Sequence, residues 1–177
     1  MQKIVAPIYL NEDSFEELLA KLPSKINKLT ITIDLALTEF IDPYGMTGLL
    51  ELERYLKARG VNLIISGPQL SSVLSYMERL NFFKYTSCIS EPKEEDLEIP
   101  KALYRRDSDV LLEITPVEKS LDIHDIIAKV RSRAKAILQR HLHYDSGAID
   151  NFIVALSEVC QNIPEHSQST GLVAIQK

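Results

Sequence analysis

Three consecutive stretches between Leu29 and Gly67 constrain this chain most: LTITIDLAL, TEFIDPYGMTGLLELERYLKARG and VNLIISG. The first alternates Thr with Ile and Leu up to Asp34, the pattern of a strand. The second opens on Asp42-Pro43, a helix cap followed by a proline at the first helical position, where its missing N–H costs nothing. Met46, Leu49, Leu50 and Leu56 then supply one apolar face, and Gly60 is a C-terminal stop. The third is a short apolar run suited to a buried strand. A strand, a helix and a strand in succession predict an α/β layered fold.

The flanking sequence extends the alternation. KIVAPIYL (3–10) is a candidate first strand. EDSFEELLAKLP places Phe15, Leu18, Leu19 and Leu22 on a helical stripe closed by Pro23. LSSVLSYMERLNFFKYTSCI reads as a further helix and an edge strand. The pattern breaks at SEPKEEDLEIPKALYRRDSD, which is charged, holds two prolines and has little periodicity. A second series follows: the strand VLLEITPV, a long amphipathic helix from Ser120, a helix over DSGAIDNFIVALSEVCQNIPEHS, and a final strand GLVAIQK. The predicted organisation is a first domain over 1–90, a linker over 91–109 and a second α/β piece over 110–177.

Composition removes several classes. With 45% hydrophobic residues but no long apolar run, no membrane partner is expected. A net charge of −5 argues against nucleic acid, and the basic side of KVRSRAKAILQR reads as a solvated helix face. The start MQKIVAPIYLNEDS does not read as a signal peptide. Cys88 and Cys160 have no motif spacing, so a cytoplasmic, reduced protein is expected. His141 and His143 lie on different helical faces, and no metal site is expected in this chain.

DLALTEFIDPYG (34–45) resembles the signature of STAS domains, the bacterial anti-sigma-factor antagonists. Asp34, Phe40, Ile41, Asp42 and Gly45 fall in register with it. The resemblance covers roughly the first half of the chain. It implies a STAS-like mixed sheet with helices packed on it, and a partner-docking loop made by Asp34, Asp42, Tyr44 and Gly45. A phosphate on a hydroxyl before a helix would be held by the helix N-terminus. Pro43 and Tyr44 replace the family's two serines, so phosphorylation by a Ser/Thr kinase is not expected there. Thr38 and Thr47 are nearby hydroxyls outside the family position.

In ALSEVCQNIPEHS (155–167), Glu158, Asn162 and His166 are spaced by four, about 40° apart around a helix, and share one face. This stretch resembles the N-box of the GHKL superfamily of ATPases and kinases, and the layout over 110–177 resembles its anti-sigma kinase branch. The resemblance implies a partial α/β sandwich of two helices and strands. It makes the Asn162 amide oxygen a Mg²⁺ ligand, Glu158 a general base, and His166 a phosphate contact. Pro164 departs from the pattern. Inside a helix it costs about 3 kcal/mol, so the helix is expected to kink or end near Ile163. No Asp-x-Gly-x-Gly follows. Mg-ATP is therefore expected only in a full-length parent, not in this chain as given.

The two resemblances together imply a cytoplasmic bacterial signalling protein of the partner-switching type. Its STAS module would dock on an anti-sigma kinase, a sigma-factor regulator or its own kinase-like domain. The alternatives are a trimmed GHKL-type serine or histidine protein kinase, and a STAS sensor of a small ligand.

Overall fold

The structure is a computed structural model that describes residues 2–23, 30–90, 110–134, 146–167 and 170–176. The chain divides into two compact units, Met1–Arg106 and Asp107–Lys177. Both are α/β, one built on small parallel sheets and the other on an antiparallel ladder. The predicted linker over 91–109 lies outside the described residues.

In the first unit the order is β1 (Gln2–Val5), β2 (Tyr9–Leu10), α1 (Glu12–Ala20), β3 (Thr30–Asp34), β4 (Phe40–Ile41), α2 (Pro43–Ala58), β5 (Asn62–Ser66), α3 (Ser71–Arg79), α4 (Phe82–Tyr85) and β6 (Ile89–Ser90). The main sheet runs β1-β3-β5-β6, and β2 and β4 form a separate short ladder. A mixed sheet was expected, but every described pairing here is parallel. The reason is that a helix lies between each pair of neighbouring strands and returns the chain to the same end of the sheet. The stretch KIVAPIYL does not form one strand. Pro7, which has no N–H to give a ladder, separates β1 from β2.

Helix starts follow local chemistry. Asn11 and Ser14 form a reciprocal capping box at α1. Asp42 Oδ1 accepts from the Gly45 N–H at 2.7 Å, with Pro43 in the first turn of α2. After α2, Gly60 takes a left-handed φ of 72°. Ile4, Ile31, Ile33, Leu63 and Ile65 from the sheet are buried, as are Phe15 and Leu18 from α1 and Met46, Leu49, Leu50 and Leu56 from α2.

The second unit contains β7 (Val110–Val117), α5 (Ser120–Ala134), α6 (Ser146–Asn162) and β8 (Gly171–Gln176). Strands β7 and β8 are antiparallel, with two register shifts. One leaves Leu111 as an extra residue, and the other sets Glu113 and Ile114 against Ala174 alone. Such bulges let consecutive side chains face one way, and both Leu111 and Leu112 are buried. The core joins them to Val117, Ile123, Ile126, Val130, Ile149, Ile153 and Cys160. Helix α6 ends at Asn162, and Ile163–Ser167 form a π-helical turn that carries Pro164. A proline donates no intrahelical bond, so the ladder changes where it sits.

Candidate functional site

The loop singled out by sequence is a working part of the first unit's backbone. Asp34 ends β3 and lies 2.7 Å from the Lys3 ammonium, while the Ala36 N–H donates to its other oxygen at 3.0 Å. The bond from Lys3 holds the Asp34 carboxyl below its ordinary value, aided by Ala36 and opposed by burial. Asp42 caps α2. Gly45 is buried, and a Cβ there would stand 2.5 Å from the Leu10 carbonyl oxygen. That approach requires glycine, so three of the four expected docking residues have structural duties. Tyr44 differs. It is 49% exposed, with one ring edge set against Phe15 at a centroid distance of 5.9 Å.

Tyr44 belongs to an apolar rim that single-residue motifs do not reveal. Residues 7–9 and 38–40 are stitched together past the ends of β1 and β3. Glu39 and Phe40 both donate to the Ile8 carbonyl, and Thr38 Oγ1 donates to Pro7. Tyr9 and Phe40 are register partners and face outward, while Leu10 and Ile41 face inward. Gln69 donates to Ala36 and brings Leu70 to the same end of the sheet. Ile8, Tyr9, Leu37, Phe40, Tyr44 and Leu70 are all exposed. Tyr76 on α3 senses the α2 cap: burial, then the Asp42 carboxylate, push its phenol up to about 12.

The candidate hydroxyls are occupied. Thr38 is 1% exposed, and its Oγ1 is bound to Pro7. Thr47 Oγ1 donates back to the Pro43 carbonyl at 2.8 Å, one turn earlier on its own helix.

In the second unit, Glu158 and Asn162 are both exposed on α6, one turn apart. His166 lies in the π-helical turn, outside the α-helical ladder that the even spacing assumed, and its side chain is outside the description. The core-facing stripe of α6 is Ile149, Ile153 and Cys160, with Leu156 and Ile163 partly buried. Apolar residues also lie off this stripe. Phe152, Val154 and Val159 are exposed, and only Leu156 turns inward.

Glu158 and Asn162 offer one carboxylate and one amide oxygen on one side of a helix. That is the share a protein usually gives to Mg²⁺, which keeps waters and phosphate oxygens for its remaining positions. Nothing else described completes a nucleotide cradle. Among the described residues, no group of three or more His, Cys, Asp or Glu is placed to hold a metal ion, and no helix is long and apolar enough to cross a membrane.

Sequence reading also missed Glu53. It is buried on α2, and its carboxylate accepts from Thr86 Oγ1, Ser87 Oγ and the Ser87 N–H at 2.7–3.0 Å. This ties α2 to the turn that delivers edge strand β6. The available signal was a charge at a position where the helix period of α2 turns inward. Protein-family models, curated proteins and solved structures contain no match to the chain.

Proposed function

We propose that this chain is a signalling module of the partner-switching type, in which the first unit docks on a kinase-like protein surface. The observation that carries this reading is the set of exposed apolar residues at the end of the sheet near the α2 N-terminus, Tyr44 among them. Scattered apolar residues are ordinary on a protein surface, but a contiguous set at one end of a sheet marks a contact surface. The residues that resemble the STAS signature build the same end: Asp34 turns the loop and Asp42 starts the helix. Bacterial origin and a cytoplasmic setting come with the resemblance.

For the second unit, the reading is half of a GHKL-type nucleotide site. Asn162 would contribute to a Mg²⁺ ion, and Glu158 would orient or deprotonate the attacking group. Phosphoryl transfer needs positioning, charge stabilisation and water exclusion together, and two exposed side chains supply only the first in part. Mg-ATP chemistry is assigned to a longer parent protein.

A photo-crosslinking residue placed at Tyr44 of the full chain tests the docking surface in cells. It should trap a defined protein carrying a kinase-like domain, or the chain's own second unit. The same probe at Lys57, further along α2, should not. Identical products at both positions would remove the docking reading.

A further inference from the structure

The apolar rim of the first unit has an acidic setting. Residues 7–15, 36–47 and 66–72 build that end of the sheet, and they contain no Lys and no Arg. Their carboxylates are Glu12, Asp13, Glu39 and Asp42. Lys3, the cation that precedes them on β1, is held by Asp34 at 2.7 Å.

Backbone contacts set these acids beside the apolar side chains. Ser14 Oγ, in the first turn of α1 with Glu12 and Asp13, donates to the Tyr9 carbonyl. Phe15 of the same helix packs on Tyr44. The Glu39 N–H donates to the Ile8 carbonyl at 2.8 Å.

Part of this charge has a local explanation. Helices α1, α2 and α3 each follow a parallel strand, so their N-termini gather at the rim end. Helix dipoles favour the acids in the first turn of α1 and at the α2 cap. The magnitudes do not cancel. An N-terminus carries about +0.5 of a charge, roughly +1.5 for three helices, against four formal negative charges. Glu39 also falls outside that explanation: it is exposed, belongs to no helix, and directly precedes the exposed Phe40.

An acidic apolar surface repels polyanions, which disfavours nucleic-acid phosphates and anionic lipid headgroups. It complements a protein surface whose apolar contact is flanked by cations. The second unit is a weaker match, because Glu113 holds Lys129 and Arg133, and Asp150 holds Arg131.

We propose that the rim docks a separate protein whose apolar contact is flanked by lysine and arginine, and that Glu12, Asp13 and Glu39 steer its approach. The assignment rests on the docking reading and adds the charge of the partner. The apolar side chains supply contact area and lifetime, and the acids supply encounter rate.

The protein trapped by the photo-crosslinking residue at Tyr44 is identified and purified, and its association with the full wild-type chain is followed by stopped flow. The association rate constant should fall by at least about tenfold between about 0.01 M and about 1 M salt, as the Debye length shrinks from about 30 Å to about 3 Å. Glu39→Lys should slow association by at least about fivefold at low salt and flatten the salt dependence. Glu51→Lys makes the same charge change about 10 Å further along α2 than Tyr44, and should slow it less. Tyr44→Ala should instead speed dissociation. All variants are checked for wild-type circular dichroism; if Glu39→Lys fails to fold, Glu39→Gln decides. Association indifferent to salt or to the Glu39 variant, or slowed equally by Glu51→Lys, would overturn the charge assignment and leave the docking reading standing. Trapping of the chain's own second unit, of nucleic acid or of lipid would overturn it as well. If Tyr44 traps no defined product, the docking reading itself falls and takes this assignment with it.

Discussion

Asp42 is the residue whose role was most legible in the sequence, because a cap and a proline at the first helical position are short-range signals. Asp42→Ala removes the acceptor for the Gly45 N–H and should destabilise the first unit by about 1 kcal/mol. A shift in the chemical-denaturation midpoint would report it; an unchanged midpoint would free Asp42 for a purely docking role. Gly45 was legible only as part of a motif. Its physical reason, the Leu10 carbonyl against its Cα, comes from a strand 35 residues earlier and has no local signature. The hydroxyls follow the same logic. Thr38 looks available in a loop sequence, yet it is buried and bound to Pro7. Incubation with Ser/Thr kinases of the anti-sigma class should therefore leave no stoichiometric phosphate on Thr38 or Thr47, as mass spectrometry would read. Phosphate on either would show that the loop opens to admit a kinase.

Between elements, Glu53 ties α2 to the Thr86–Ser87 turn through three hydrogen bonds. Burial pushes its carboxyl up, but the hydroxyls of Ser87 and Thr86 and the Ser87 N–H more than offset this and hold it below the ordinary value of 4.5. A carboxyl lowered by folding contributes stability above its unfolded value and loses it as pH falls through its folded value. Stability should therefore decline as pH drops below about 4.5, and Glu53→Gln should flatten part of that decline. Glu113, held low by Lys129 and Arg133 against its own burial, and Asp34, held low by Lys3, add slopes of the same sign and keep part of the remainder. Denaturant midpoints measured against pH separate them; a Glu53→Gln profile parallel to wild type would mean the tie carries no proton linkage. Element order was readable because β-branched alternation and i, i+3, i+4 stripes are strong signals. Strand direction was not, since periodicity says nothing about which end of a sheet the chain re-enters. The buried stripe of α6 was not readable from periodicity either. Apolar residues lie on both its sides, and only the packing of Ile149, Ile153 and Cys160 reveals which side is the core.

At the scale of the whole molecule, the nucleotide reading makes a demand that this chain alone does not meet. A version extended through a downstream glycine-rich region should bind ATP in a Mg-dependent way. Asn162→Ala in that version should abolish the Mg dependence, and calorimetry on both lengths compares them directly. An extended protein that ignores ATP, or binds it equally well with Asn162→Ala, would return Glu158 and Asn162 to an ordinary solvated helix surface. The charged, proline-bearing stretch after Ser90, where periodicity stops, includes the Arg106–Asp107 boundary between the two compact units. The locked hydroxyls of the first unit also have a consequence for information flow. On the proposed reading, a docking surface whose Thr hydroxyls are both bound offers a Ser/Thr kinase no off-position. Its occupancy follows mass action, so the cell sets the output by how many copies it makes and how fast it removes them. Such a part behaves as a titrant rather than a toggle.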